Sequence, residues 1–369
     1  MSKRRKKKLN RRQQEIRRKR LKKRKRRRAI VIIIELIILC ILGTTAFALF
    51  KLGKMERTSL TNIKNNGLKQ TGYTNIALFG LDSRGKNLGK GNRTDTIMIA
   101  SINNETKKVK LISVYRDTML KQNGEHYDKA NAAYSVGGPE MAVNMLNENL
   151  DLDIQDYVSV NFLALADVID MVDGITVKMT DEEVVHMNNY CVETSKVTGK
   201  KYKKIEPAVA GTYKLNGVQA VSYARIRYTA GGDYKRTERQ RLVLEKTANK
   251  LKKQNLATIN KIIDKVMPEV STSFSTKEIL ALASGAFDFE LGETSGFPFD
   301  LETPDSVPGY SGSYVIPKGL EENVIKLHEF LFPDEDYTPT ETVTNISDTL
   351  INMTNVYPST TGSGMSQDE

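Results

Sequence analysis

The first 50 residues constrain this chain more than any other part of it. Residues 1–28 hold 19 Lys and Arg side chains against one acid, Glu15, and the next 22 residues, AIVIIIELIILCILGTTAFALF, hold one charge, Glu35, and no proline. A helix of that length, at about 1.5 Å per residue, matches the hydrocarbon core of a bilayer. Because Lys and Arg beside a span favour the cytoplasmic side, the pattern predicts a cytoplasmic tail (1–28), a transmembrane anchor (29–50) and everything from Lys51 onward outside the membrane.

A cleaved signal peptide and a basic segment that binds nucleic acid are the other interpretations of residues 1–50. The apolar core of a cleaved signal peptide is usually about 7–15 residues long, and the A-x-A-like stretch at 46–48 is weak, so an uncleaved anchor is favoured. A basic run alone suggests nucleic acid, but beside a span it marks topology and contacts anionic lipid headgroups. Glu35 is costly in a bilayer and is placed near the cytoplasmic interface, with a partner-helix contact as the alternative.

Charge is distributed unevenly along the chain. The whole sequence carries 56 Lys and Arg against 44 Asp and Glu, a net of +12. Residues 1–28 take 19 of the bases and one of the acids, so the other 341 residues have 37 bases, 43 acids and a net charge of −6. The external part is therefore not expected to bind nucleic acid, and an anion site there requires a local Arg cluster.

Cys40 lies in the predicted anchor and Cys191 outside it, so the two cannot pair, and the three His residues lack metal spacing.

Apolar patterning predicts an α/β domain with a mixed sheet over residues 74–332, after a polar juxtamembrane stalk at 51–73. A short NNET turn joins the second and third strands as a hairpin. Residues 333–369 are rich in Ser, Thr, Pro and acids and are predicted to be a mostly disordered tail. The predicted strands are 74–81, 96–103, 107–114 and 174–180, and the predicted helices are 139–150, 162–172, 216–227, 235–253 and 322–332, with helical patches at 262–266 and 276–287.

Charged residues concentrate in four segments where apolar elements end. Sites in open α/β folds collect at strand ends, so Arg84, Arg93 and Arg116 are expected to converge there. Guanidinium groups bind phosphate through two hydrogen bonds and stay charged. Asp82 and Asp95 beside them fit a divalent hard cation that bridges to phosphate oxygens. The four segments are NIALFGLDSR (75–84), NRTDTIMIASIN (92–103), LISVYRDT (111–118) and VSYARIRYTAGGDYKRTERQR (221–241).

The fourth segment holds five arginines within residues 225–241. Arg236 and Gln240 are four apart and share a helix face, whereas Arg225 and Arg227 share a face only where the chain is extended. Arginines brought together from separate segments would repel one another without a polyanion. Structural ion bridges are the alternative for any single Arg–Asp pair, but the four segments together favour a functional site.

The motifs match a known family in order and spacing over residues 74–254. GLDSR, NRTDTIMI, SVYRDT, KANAAYSVGG, SYARIRY and DYKRTERQ, behind a basic tail and a single anchor, resemble the LytR–CpsA–Psr family of bacterial cell-wall proteins. The resemblance implies a three-layer α/β/α domain preceded by one transmembrane helix. It implies a transferase that moves an anionic glycopolymer, of teichoic acid or capsule type, from a polyprenyl-pyrophosphate carrier to peptidoglycan. It also implies Mg²⁺ (or Mn²⁺) as cofactor, with arginines on the pyrophosphate.

Roles follow from this resemblance position by position. Asp82 and Asp95 match the family's metal-side aspartates and, with Arg116, form the implied catalytic set. Arg84 and Asp117 occupy motif positions of less certain role. The implied pyrophosphate-binding set is Arg84, Arg93, Arg116, Arg225, Arg227, Arg236 and Gln240.

In the implied reaction, a peptidoglycan sugar hydroxyl attacks the phosphorus nearest the glycopolymer, polyprenyl phosphate leaves and a phosphodiester forms. Positioning and charge neutralisation are the protein's main tasks, and Asp82 or Asp95 is the base only where metal does not fully engage it. Water in place of the sugar would make the protein a polyprenyl-pyrophosphate phosphatase. A transcription regulator with a DNA-binding arm at 1–28 is the alternative outside enzymes, although no DNA-reading module is visible. Helices 139–150 and 162–172 are candidate walls of a lipid groove, with ordinary core as the alternative.

Overall fold

A computed structural model describes residues 56–83, 88–284 and 288–359, all within the compact unit Met55–Glu369. The predicted tail and anchor, and Arg84, lie outside the described residues. Within the described ranges, no helix combines the length and apolar character needed to cross a membrane.

A seven-stranded mixed sheet forms the centre of the domain. The described residues form strands both in this sheet and in three two-stranded sheets. In chain order, all of these strands are β1 (Glu56–Arg57), β2 (Tyr73–Leu81), β3 (Thr94–Asn103), β4 (Lys108–Val114), β5 (Met119–Lys121), β6 (Tyr127–Lys129), β7 (Asp156–Asn161), β8 (Ile175–Met179), β9 (Gly211–Leu215), β10 (Val270–Thr272), β11 (Glu290–Phe297), β12 (Leu301–Glu302) and β13 (Ile316–Pro317). The sheet order is β1-β10-β7-β2-β3-β4-β11. The pairs β1/β10, β7/β2 and β4/β11 are parallel and the other three are antiparallel, which confirms the predicted mixed α/β sheet.

Helices cover both faces of this sheet. They are α1 (Ala130–Leu150), α2 (Phe162–Met171), α3 (Asp181–Thr198), α4 (Gly217–Ala224), α5 (Gly232–Leu251), α6 (Leu256–Val266), α7 (Thr276–Ser284), α8 (Leu320–Leu331) and α9 (Glu341–Thr354), with a 3₁₀ turn at Met267–Glu269. Helix α1 is longer than predicted because it continues across a kink at Gly138. Gly138 has a φ of 73° and is followed by Pro139. The helix restarts there because proline lacks an N–H and fits a first turn.

The faces of β2 show how the layers form, since successive side chains of a strand point to opposite sides. Ala77 and Phe79 pack in the main core with α1, α8 and α9. Ile76 and Leu78 face the other way, toward α7. Full burial of a Phe or Leu side chain stabilises the fold by about 1.5–3 kcal/mol, so both faces require a helical cover. The outcome is three layers, with the sheet in the middle.

The predicted hairpin is confirmed, because β3 and β4 pair in antiparallel register around residues 103–106. The predicted helix at 216–227 ends at Ala224, three residues early. Its predicted start is confirmed: the Asn216 side chain accepts a hydrogen bond from the Gln219 N–H at 3.0 Å and caps the helix.

The prediction of a disordered tail over 333–369 is wrong for residues up to 359. Helix α9 buries Val343, Ile346 and Leu350 in the main core. The segment before it is fixed on Asp151, whose carboxylate accepts hydrogen bonds from the Tyr337 hydroxyl at 2.5 Å and the Thr340 N–H at 2.9 Å. Composition misled because Thr, Asn and Asp dominate this helix while its few apolar residues recur at helical spacing.

The described part of the predicted stalk also differs from expectation. Strand β1 joins the edge of the sheet by pairing with β10. The Glu140 carboxylate of α1 accepts hydrogen bonds from the backbone N–H groups of Thr61 at 2.7 Å and Asn62 at 3.4 Å. Polar side chains of the domain therefore hold residues 56–72 along its surface, a kind of attachment that hydrophobic patterning does not predict.

Candidate functional site

Charged residues gather at one end of the central sheet because of the strand directions. Strands β2 and β4 end there and β3 begins there, since β3 runs antiparallel to both. Asp82 follows β2, Asp95 is the second residue of β3, and Arg116 follows β4. The first turns of α5 bring Asp233 and Arg236 to the same place. The sheet therefore assembles residues that are far apart in sequence, as predicted for strand ends.

Arg116 is at the centre of this cluster. Its Nη1 lies 2.6 Å from Asp95 Oδ1, and its Nε lies 3.3 Å from Asp117 Oδ2 and 4.0 Å from Asp233 Oδ1. Burial opposes the charge on Arg116, but Asp117, Asp95 and Asp233 together raise its pKa. The guanidinium is thus held charged and in one orientation.

Two further arginines share the same carboxylates. Arg227 lies between Asp95 and Asp233, with Nη2 3.8 Å from the first and Nε 3.7 Å from the second. Arg236 Nη2 lies 3.0 Å from Asp233 Oδ2. With Asp117, three aspartates alternate with three arginines. The expectation of mutually repelling, unpaired arginines is therefore wrong, because aspartates neutralise them.

Arg236 and Gln240 form the deepest part of the cluster. The side chain of Arg236 is only 2% exposed, and burial lowers its pKa to about 10 against the opposing effect of Asp233. It therefore keeps its charge at neutral pH. Arg236 Nη2 and Gln240 Nε2 donate to the Asp95 carbonyl at 3.3 Å and 3.4 Å. Arg236 Nε and Gln240 Oε1 are buried with no hydrogen-bond partner among the described residues, which is typical of groups that a ligand completes.

An apolar cavity of about 250 Å³ adjoins this cluster. It lies between the sheet and helices α2, α4 and α5, and its apolar lining includes Leu78, Met98 and Leu165. Gln240 lines the cavity and also contacts Asp95, so it joins the apolar space to the charged cluster. Of the two candidate groove helices, 162–172 corresponds to α2 and lines the cavity, whereas 139–150 belongs to α1 and packs in the main core.

Arg225 points away from the aspartates, toward the cavity. Its Nη2 lies 3.1 Å from Glu193 Oε2, and its guanidinium stacks over the ring of Phe162 at 5.2 Å from the centroid. Arg225 and Arg227 therefore have different surroundings, because α4 ends at Ala224 and a loop separates them from α5. Arg225 also lines the cavity, which places a guanidinium at its polar end.

Asp82 and Arg93 lie at the exposed edge of the site. The Asp82 N–H donates to the Arg93 carbonyl at 3.2 Å, which fixes the two backbones side by side. Neither side chain has a hydrogen-bond or ion-pair partner among the described residues. Arg84 lies outside them, so the structure gives no position for it.

The oxygen donors near Asp95 suit a hard cation better than a soft one. Asp95 Oδ1 is the nearer oxygen to both Arg116 and Arg227, and none of the hydrogen bonds between described residues uses Oδ2. In the described part of the chain, no three His, Cys, Asp or Glu side chains group closely enough to hold a metal ion. Two protein carboxylates with phosphate and water oxygens would fit Mg²⁺, which keeps several waters, and would not form a cage for Ca²⁺ or Zn²⁺.

Sequence patterns left Asp233, Lys129 and Arg239 without a role. The i,i+3 spacing of Asp233 and Arg236 on a helix was the available signal for the first. Lys129 Nζ lies 3.3 Å from Asp117 Oδ1 and continues the alternation of charge outward. Arg239 is buried; it pairs with Glu183 at 2.9 Å and donates to the Ile226 carbonyl at 3.2 Å. It therefore braces the loop that carries Arg227, through contacts that no local pattern indicates.

Several known proteins are similar to this chain. Biofilm regulatory protein A of Streptococcus mutans is 31% identical over 254 residues, which are 65% of this chain and 60% of that protein. The chain thus spans less than two thirds of that relative. The polyisoprenyl-teichoic acid–peptidoglycan teichoic acid transferase TagV of Bacillus subtilis is 27% identical over 322 residues, which are 82% of this chain and 78% of TagV.

Solved structures share the fold. The B. subtilis protein YwtF (TagT) with bound octaprenyl pyrophosphate lipid is 21% identical, with a TM-score of 0.53 over 74% of this chain and 99% of that chain. The family model described as LytR_cpsA_psr matches residues 44–293, and this range includes the charged cluster and most of the cavity-lining elements. The chain therefore belongs to the LytR_cpsA_psr family.

Proposed function

We propose that this protein transfers an anionic glycopolymer from a polyprenyl-pyrophosphate carrier to peptidoglycan and forms a phosphodiester bond. A relative named for this reaction, TagV, matches 82% of the chain, and TagT binds a prenyl pyrophosphate in the same fold. Teichoic acid is the polymer class named for the relatives, and a capsule-type polymer is the second class that the chemistry accommodates.

One observation carries the proposal: Gln240 belongs both to the apolar cavity and to the arginine cluster. A polyprenyl pyrophosphate has an apolar tail joined to a doubly charged head, so it requires these two environments side by side. The cavity supplies the apolar contact, and Arg116, Arg227 and Arg236 supply forked donors for the phosphates.

A pyrophosphate that binds here must replace ion pairs between the arginines and the aspartates of the cluster. Arg227 makes only long ion pairs, at 3.7 Å and 3.8 Å, and its side chain is 35% exposed, against 17% for Arg116 and 2% for Arg236. It is therefore the arginine that engages an incoming phosphate at least cost. Arg116 and Arg236 stay oriented by Asp95 and Asp233, so the site keeps its geometry while the pyrophosphate enters.

The reaction is an in-line displacement at the phosphorus nearest the glycopolymer. The peptidoglycan hydroxyl oxygen forms the new P–O bond, the bond from phosphorus to the bridging oxygen breaks, and polyprenyl phosphate leaves with that electron pair. The hydroxyl proton passes to Asp82 or Asp95, whichever of the two a metal ion does not fully engage. The arginines neutralise the charge that grows on the leaving phosphate.

We further propose that Asp82 and the free oxygen of Asp95 hold Mg²⁺ or Mn²⁺ when the pyrophosphate is bound. The hard cation would supply positive charge to the phosphate oxygens. Replacing either aspartate by Ala should weaken both transfer and its response to Mg²⁺, and unchanged metal response in both variants would refute these ligands.

The anchor and topology complete the proposal. The 19 Lys and Arg before an apolar 22-residue run support a cytoplasmic tail, a single span at 29–50 and a catalytic domain on the outer face. A cysteine in place of Ser59, which is exposed, should react with an impermeant thiol reagent in cells whose wall has been made permeable. Labelling of a cysteine at position 10 instead would refute this topology.

The transfer assay tests the function itself. The domain from residue 56 is incubated with a lipid-pyrophosphate glycopolymer, peptidoglycan and Mg²⁺, and the peptidoglycan is searched for a covalent phosphodiester. We expect linked polymer with wild type and a much lower rate of linkage with Arg116→Ala. Release of polymer phosphate without linkage would identify the phosphatase alternative, in which water replaces the sugar hydroxyl.

A further inference from the structure

A second groove, of about 900 Å³, runs between the β8–β9 hairpin and the C-terminal half of α5. Apart from lysines, its polar lining consists of hydroxyl and amide side chains: Thr176, Thr212, Asn249 and Gln254. No Asp or Glu is among the residues that line it. These groups can contact both the hydroxyls and the phosphates of a polyol phosphate chain.

Four lysines line the groove. Lys246 and Lys250 are four residues apart and share one face of α5, and Lys253 follows three residues later, just past the end of the helix. Lys178 faces them from β8, at an outward position of the strand's alternating buried and exposed pattern. The row therefore presents positive charge along the length of the groove. The chain outside residues 1–28 has, by contrast, a net charge of −6.

These lysines differ from several other lysines of the domain, which are ion-paired. Lys200 pairs with Asp167, Lys214 with Asp173 and Lys235 with Glu238. Among the described residues, no carboxylate lies within ion-pair distance of the four groove lysines. Asp173 does not line the groove; Lys214 and, more weakly, Lys250 lower its pKa. Like charges one helical turn apart destabilise a helix, so an unpaired row is a cost that a bound polyanion would relieve.

The groove continues toward the charged cluster. A neighbouring cleft shares Lys178 and Leu242 with it and adds Lys235 and Arg239. Two of the three acids in that cleft pair with bases, Glu183 with Arg239 and Glu238 with Lys235, and Glu182 lies 3.8 Å from His186. Helix α5 begins at the cluster, so at about 1.5 Å per residue its lysines lie about 20–30 Å away along the axis. That distance corresponds to several repeat units of a polymer chain.

We propose that the lysine groove binds the anionic polymer of the donor, beyond the sugars next to the pyrophosphate. This inference rests on the proposed function, because the donor is what places a polyanion at the cluster. It predicts that the enzyme selects donors by polymer length and charge. The lysines are positioning residues for the chain and take no part in the chemical step.

The test compares two lipid-pyrophosphate donors, one ending after two sugars and one extended by a poly(glycerol phosphate) chain. In a variant with Lys246→Gln, Lys250→Gln and Lys253→Gln, we expect KM for the long donor to rise about 10-fold, with kcat unchanged, because three phosphate contacts are lost. KM for the short donor should not change. Raised salt should reduce the wild-type preference for the long donor. The matched control replaces three exposed lysines outside the groove, Lys201, Lys203 and Lys204, by Gln.

An unchanged KM for the long donor, or an equal effect on both donors, would overturn the groove assignment while the proposed function stands. If wild type transfers neither donor, the proposed function fails, and binding of free poly(glycerol phosphate) then decides the groove. Lysine-dependent binding of that chain by calorimetry supports the groove, and equal binding by wild type and the triple variant refutes it.

Discussion

The guanidinium of Arg116 and the carboxylate of Asp95 meet at 2.6 Å, because Asp95 is near the start of β3 and Arg116 follows the end of β4, which runs in the opposite direction. The pair has a definite consequence for binding. Asp95 orients Arg116 and neutralises its charge, which reduces the repulsion among the arginines. A pyrophosphate replaces these contacts more completely than a single phosphate does, because it offers more oxygens to the three guanidinium groups. The ion pair therefore favours selective binding of a pyrophosphate over binding of a single phosphate.

Filling the apolar cavity should weaken binding of the long lipid. Leu165→Phe adds bulk at the wall formed by α2, so we expect a polyprenyl pyrophosphate of full length to bind about 10-fold more weakly, since each methylene excluded from apolar surroundings costs about 0.8 kcal/mol. A short-chain prenyl pyrophosphate should bind unchanged. Calorimetric titration of both lipids measures the difference.

The control for this change is Val136→Phe. Val136 is 65% exposed on α1, across the sheet from the cavity, so added bulk there should leave both affinities unchanged. Equal affinity of Leu165→Phe and wild type for the long lipid would show that the tail binds elsewhere.

The C-terminal helix should contribute to stability despite its polar composition. Leu350 is 1% exposed within the main core, so Leu350→Ala should lower the free energy of unfolding by about 2–5 kcal/mol. Asn352→Ala, at an exposed position of the same helix, is the matched control and should change it by less than about 0.5 kcal/mol. Denaturant unfolding compares the two variants, and equal stability would mean that α9 does not pack on the core in solution.

Acid should release the segment at residues 56–72. The Thr61 N–H is the main cause of the lowered pKa of Glu140, so its ionised form is favoured in the folded state. A lowered pKa means that the stabilisation is complete above the usual value of 4.5 and is lost as pH falls through the folded-state pKa. Hydrogen exchange at the Thr61 amide should be slower in wild type than in Glu140→Gln near neutral pH. This difference should shrink in acid, and a difference that grows on acidification would contradict the assignment.

Local pattern predicted the elements that carry most of the site. The strands expected at 74–81, 96–103 and 107–114 are β2, β3 and β4, with ends within two residues. Their apolar runs are buried on both faces, which is the strongest available signal. The convergence of Asp82, Asp95 and Arg116 followed from those strand ends alone.

Contacts between distant parts of the chain were not predictable in this way. Strands β1 and β10 are two and three residues long, and their pairing depends on partners more than 200 residues apart in sequence. The role of Asp233 as an acceptor for three arginines needs the position of α5 against the sheet. Helix α9 is fixed by Asp151, a left-handed residue with φ of 52° whose buried carboxylate no sequence window connects to Thr340.

Binding of a short-chain prenyl pyrophosphate tests the central claim, that the ion-paired arginines hold the pyrophosphate. Arg116→Lys keeps the charge but loses the forked geometry, so we expect affinity to fall at least about 10-fold and thermal stabilisation by the ligand to decrease. Arg116→Ala should also lower the transfer rate by about 10–1000-fold, the scale for loss of one oxyanion donor. Arg57→Lys, at the far edge of the sheet, should behave as wild type. Wild-type affinity in both Arg116 variants would reduce the cluster to structural ion pairs and contradict the account.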